Sequence, residues 1–141
     1  MIGAIVQARM DSRRLPGKVL MDIEGQPMLY HIVMRLKQCQ LLDTIIIATS
    51  EEPSDEPIVS FCQKHNLSYF TGSKDNVLDR YYQAAKKFQL DIVVRITGDC
   101  PLIDPEVTDK TIRYYLDHQD QFDYVSNARP PTYPDGLDTE V

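Results

Sequence analysis

Apolar and polar residues follow one another in short blocks along this chain. Ile2 to Ala8 is an apolar run rich in β-branched residues, and it stops at a polar, arginine-rich stretch ending in Leu15-Pro16-Gly17-Lys18. That pattern predicts a strand and then a loop. Pro27 followed by Leu29, Ile32, Val33 and Leu36 predicts a helix with proline in its first turn, and Arg35 and Lys37 suit its negative end. Asp43 to Ser50 contains Ile45-Ile46-Ile47-Ala48, a continuous run expected of a strand covered on both faces. Ser54 is placed to cap a second helix, with Asp55 and Glu56 in its first turn and Ile58, Val59, Phe61 and Cys62 on its apolar side. A short strand at Ser68 to Thr71 precedes a helix from about Asn76, where Val77, Leu78, Tyr81, Ala84, Ala85 and Phe88 recur at three- and four-residue spacing. Asp91 to Thr97 is the next buried strand. Asp104-Pro105 opens a helix running through Ile112, Tyr115 and Leu116, Asp123 to Ser126 predicts another strand, and the remainder is rich in proline and turn residues.

This alternation predicts βαβ units: an α/β fold with a mostly parallel sheet and helices on both faces. Ligands in such folds bind beyond the carboxyl ends of the strands, where strand order reverses. Two loops are therefore candidates, Arg9 to Lys18 and Gly98 to Asp104.

At 141 residues, 43% hydrophobic and 26% charged, the chain suits one domain, large enough to bury roughly two-thirds of its unfolded surface without disulfide or metal staples. Fifteen Lys and Arg against 21 Asp and Glu give a net charge of -6, which argues against general binding to nucleic acid or anionic membranes. The apolar runs are too short to span a bilayer and nothing resembles a signal peptide, so a cytoplasmic location is expected. Cys39, Cys62 and Cys100 suit neither a disulfide framework nor a CxxC motif, and Cys39 and Cys62 read as buried thiols. His31, His65 and His118 show no ligand spacing.

The first loop lacks both familiar phosphate motifs. No GxGxxG follows the first strand, and a P-loop ending in Gly17-Lys18 would need glycine at Ser12 and a hydroxyl residue at Val19. Arg9, Arg13, Arg14 and Lys18 instead place four cations within ten residues, with Asp11 the only acid among them. Such a segment suits a triphosphate, because guanidinium groups grip phosphate oxygens in pairs and lysine adds a mobile point charge. It also suits a solvated surface loop. Asp99 favours the first: a carboxylate on a rigid strand end beside Gly98 is what a Mg²⁺-nucleotide needs opposite a cationic grip, although Asp99 alone also reads as a turn-forming aspartate. Cys100 has no identifiable base partner, so packing is its expected role.

The string Gln7-Ala8-Arg9-Met10-Asp11-Ser12-Arg13-Arg14-Leu15-Pro16-Gly17-Lys18 closely resembles the amino-terminal signature of the cytidylyltransferases acting on 3-deoxy-manno-octulosonate and acylneuraminate. Thr97-Gly98-Asp99-Cys100-Pro101-Leu102-Ile103 resembles their metal loop, and Gly72-Ser73 through Asp79-Arg80-Tyr81 their nucleotide-contact segment. Together with Tyr133-Pro134-Asp135-Gly136-Leu137-Asp138, these segments look most like the branch called spore coat polysaccharide biosynthesis protein F.

The resemblance implies a three-layer αβα fold with a mostly parallel, Rossmann-like sheet of the nucleotide-diphospho-sugar transferase type. It implies transfer of CMP from CTP to a sugar, giving a CMP-sugar and pyrophosphate, with Mg²⁺ as cofactor. Arg9, Ser12, Arg14 and Lys18 would hold the triphosphate and Asp99 the metal. Arg80, Thr97 and Gly98 would contact the nucleotide, and the Ala8 backbone would lie near the base. Asp138 is a candidate for taking the proton of the attacking hydroxyl, and equally a turn aspartate. Relatives continue further, so residues 1–141 are expected to be the amino-terminal part of a longer domain, with a second metal carboxylate, much of the sugar site and a homodimer surface lying beyond. A non-catalytic nucleotide-binding domain and a sugar-phosphate pyrophosphorylase using another NTP remain as alternatives.

Overall fold

The computed structural model describes residues 1–141. Four strands, β1 (Ile2–Gln7), β4 (Thr44–Ser50), β5 (Ser68–Gly72) and β6 (Ile92–Thr97), form one parallel sheet in the order β5-β4-β1-β6. Two short strands, β2 (Asp22–Ile23) and β3 (Gln26–Pro27), make a separate hairpin. The helices are α1 (Met28–Leu36), α2 (Glu56–Lys64), α3 (Val77–Lys87) and α4 (Pro105–Asp117). From β1 the chain winds outward through β4 to β5, then returns to set β6 on the other edge of β1. The switch in direction thus falls between β1 and β6, and the loops after these two strands border one crevice.

The core has two halves, because successive side chains on a strand face opposite ways. Ala4 and Val6 of β1, Ile47 of β4 and Val94 and Ile96 of β6 pack against Leu29 and Ile32 of α1, Ile58 of α2 and Ile112 of α4. On the opposite face, Ile5, Ile46 and Ala48 pack against Tyr81 and Ala84 of α3. The result is three layers, with β1 and β4 buried on both sides. Cys39 and Cys62 are buried free thiols in the first half. No helix is long and apolar enough to cross a membrane.

Three local expectations are corrected. The second helix does not start from a Ser54 cap: Pro53–Asp55 forms a single 3-10 turn, α2 begins at Glu56, and the side chain of Asp55 makes no capping bond. Pro27 lies in β3 and precedes the first turn of α1, whose first residue is Met28. Asp123 to Ser126 forms no strand. Val125 instead exchanges two backbone hydrogen bonds with Val141, at 2.9 and 2.8 Å, Ser126 bridges Glu140, and Glu140 bridges Arg95 antiparallel on β6. Its partner is the far end of the chain, outside any local pattern.

Candidate functional site

The loop after β1 is built around one peptide group. The carbonyl of Met10 accepts from the N–H of Ser12 at 3.0 Å and from that of Gly17 at 2.8 Å, closing the segment into a ring. Gly17 has φ of 72°, a left-handed conformation that glycine adopts without steric cost. Lys18 then opens a 3-10 turn, Lys18–Leu20, whose Val19 is buried in the core. The lysine is thereby aimed from a fixed root.

Gly98 is needed for a different reason. Its N–H donates to the carbonyl of Gln7 at 2.8 Å, and a Cβ there would sit only 2.4 Å from that same oxygen. Close approach of β1 and β6 brings Asp99 to the first loop. Lys18 Nζ stands 2.7 Å from Asp99 Oδ2, with the carboxylate side chain 43% exposed. The hydrogen bond from Lys18 holds the Asp99 carboxyl below its ordinary range against the opposing effect of burial.

Both candidate loops thus line one open cleft of about 540 Å³. Arg9, Ser12, Arg14, Lys18, Thr97, Gly98 and Asp99 all border it, as does Arg13. Five cations face two carboxylates there, in a chain whose net charge is -6. The expected concentration of positive charge at a strand end is real.

Other candidates lie elsewhere. Ala8 is buried beneath the cleft, and its N–H is committed to the carbonyl of Ala48 at 3.0 Å, so that donor is closed to a base. Arg80 is fully buried on α3. Its Nη1 donates to the carbonyl of Ser73 at 2.9 Å, while Nε and Nη2 have no partner. Burial first, then the charge of Arg9, draws its pKa below the ordinary value. Asp138 does not line the cleft. Its charge is felt by the Cys100 thiol, whose pKa is pushed up mainly by burial.

Two residues of the site were not singled out from sequence. Arg95 interrupts the apolar run of β6, lines the cleft, and pairs through Nη1 with Glu140 Oε1 at 2.7 Å. The interruption itself was the signal. Asp55, 2% exposed, reaches from the corner before α2 to Met10, and no local pattern announces that contact.

The donor set bears on which metal could be held. No group of three or more His, Cys, Asp or Glu side chains is placed to hold an ion. Asp99 offers one hard, ionised oxygen ligand facing the cations. Mg²⁺ is commonly bound by one or two carboxylates together with substrate phosphates and water, so the residues fit a metal that arrives with a nucleotide.

A family model described as cytidylyltransferase matches residues 3–133. The chain belongs to the cytidylyltransferase family. Spore coat polysaccharide biosynthesis protein SpsF of Bacillus subtilis is 36% identical over 128 residues, covering 88% of this chain and 53% of that protein. A solved cytidylyltransferase of Leptospira borgpetersenii superposes with a TM-score of 0.93 at 35% identity, covering 99% of the chain and 58% of the other. CMP:2-keto-3-deoxy-manno-octonic acid synthetase, solved in complex with CTP, gives a TM-score of 0.73 at 29% identity, covering 84% and 48%. The chain spans about half the length of the curated relatives it matches.

Proposed function

We propose that the cleft between β1 and β6 binds CTP with Mg²⁺, and that the protein transfers CMP to a sugar hydroxyl, releasing pyrophosphate. One observation carries this reading: five cations and the Asp99 carboxylate meet in a single cleft at the switch point of the sheet. The relative solved with CTP supports cytosine as the base, and the likeness to SpsF supports a place in surface polysaccharide synthesis.

In the reaction, the sugar oxygen attacks the α-phosphorus as the bond to the β-phosphate oxygen breaks, and the hydroxyl proton leaves to solvent. Most of the catalysis is positioning and charge. Arg9 and Arg14 hold phosphate oxygens, Ser12 donates its hydroxyl, and Lys18 leaves Asp99 to offset charge on the departing pyrophosphate. Asp99 is the carboxylate that would hold Mg²⁺. When bound, the metal neutralises phosphate charge and acts as a Lewis acid.

The test follows pyrophosphate with each NTP, Mg²⁺ and a panel of sugars including 3-deoxy-manno-octulosonate. CTP-dependent release abolished by Asp99→Asn and Lys18→Ala is expected. CTP binding with no release from any sugar would make this a nucleotide-binding domain, and release with another NTP and a sugar phosphate would make it a pyrophosphorylase.

A further inference from the structure

Asp55 occupies the residue before α2, where an aspartate ordinarily accepts hydrogen bonds from the first helical N–H groups. Here it makes no such bond. Its carboxylate turns away from its own helix and is almost wholly buried, 2% exposed. Oδ1 accepts from the backbone N–H of Met10 at 2.7 Å. Oδ2 accepts from the N–H of Ser50 at 3.3 Å and from the Ser50 hydroxyl. One side chain therefore joins the end of β4 to the loop after β1, across 45 positions of sequence.

The place it grips matters. Met10 is the residue whose carbonyl gathers the N–H groups of Ser12 and Gly17. Asp55 holds the opposite end of that residue, so the cation loop is pinned at its root by a buried charge. A loop carrying Arg9, Arg13, Arg14 and Lys18 repels itself when no polyanion is bound. A buried carboxylate is costly unless fully hydrogen-bonded, and the three donors on Asp55 meet that need. Its charge also favours the cationic form of Arg80, opposing the effects of burial and of Arg9.

We propose that Asp55 is a positioning residue for the nucleotide site: through the Met10 amide it sets where Arg9, Ser12 and Lys18 stand before CTP arrives. The proposal rests on the CTP-binding reading of the cleft. Asp55 touches no substrate. It acts through the loop.

The experiment compares Asp55→Ala, Asp55→Asn and Ser50→Ala in the full chain, with amide hydrogen exchange of the free protein, thermal unfolding, and calorimetric titration with CTP and Mg²⁺. Asp55→Ala is expected to weaken CTP binding by about tenfold or more, the effect of stranding a buried hydrogen-bonded donor. It should also speed exchange at Met10 and Gly17 while leaving Ile47 and Val94 protected. Asp55→Asn, which keeps one acceptor oxygen, should recover part of both losses, and it carries the test if the alanine variant does not fold. Ser50→Ala loosens the same corner but leaves the bond from Met10 in place, so it should lower the unfolding temperature and hold CTP affinity within about twofold. Folded Asp55 variants with unchanged exchange and unchanged affinity would overturn the proposal, as would Ser50→Ala weakening CTP binding as much as Asp55→Ala. Wild-type protein that binds no CTP would sink the functional reading instead, and exchange at Met10 and Gly17 would still decide whether Asp55 orders the loop.

Discussion

Lys18 Nζ and Asp99 Oδ2 stand 2.7 Å apart, an ion pair spanning the crevice between the loops after β1 and β6. Both ends are partly open to water, so the pair is worth about 1 kcal/mol or less. Displacing it therefore costs little. In the free protein, each charge keeps the other in the cleft.

Lys18→Ala should therefore barely change stability, while raising the Asp99 carboxyl toward the usual value of 3.8. The folded value is depressed by the lysine, so the contribution of Asp99 to stability is present above 3.8 and is lost as pH falls through the lower folded value. Carboxyl-detected NMR titration of wild type and variant measures this directly. CTP affinity should fall about 10- to 100-fold, as expected for a lost hydrogen bond to a charged group. An Asp99 titration unmoved by Lys18→Ala would contradict the pairing.

Gly98→Ala should be the most damaging single methyl in the site. A Cβ at 2.4 Å from the Gln7 carbonyl forces β1 and β6 apart, at a cost of about 1–3 kcal/mol, and moves Asp99 off the cation loop. Chemical denaturation and CTP titration should show both losses together. Full stability with full affinity would mean that the junction is looser than this geometry implies.

Thiol chemistry should separate the three cysteines. Burial pushes Cys39 and Cys62 up to about 12 from the usual 9.0, and Cys100 is partly exposed. An Ellman-type assay of the native protein should modify Cys100 first and the other two only on unfolding. Because the folded values are raised, stability from the neutral thiols is full below 9.0 and is lost as pH rises toward about 12. Rapid native modification of Cys62 would contradict its burial.

Elements with their own periodicity were legible in the sequence. Ile45-Ile46-Ile47-Ala48 announced β4 because it is covered by helices on both sides, and the alternation of strands and helices was enough to pick both loops of the cleft. What local pattern could not show was contact at long range. The β2–β3 hairpin has two-residue strands with no period, turning at Glu24 and Gly25, both with positive φ. Asp123 to Ser126 resembled a strand because it does pair, but only with the last residues of the chain. Asp55 read as an ordinary first-turn acid, since Met10 lies far away in sequence. Arg80, which the resemblance places at the nucleotide, is fully buried on α3 with Nε and Nη2 unpartnered, a packing that no local pattern shows.

Amide chemical-shift mapping, while CTP with Mg²⁺ is added to the protein, tests whether the cleft between β1 and β6 is the nucleotide site. Shifts concentrated at Arg9 to Lys18 and Thr97 to Asp99, and lost in Asp99→Asn, are predicted. Shifts centred instead on the groove lined by Lys110, Asn127 and Tyr133, or none at saturating nucleotide, would contradict it.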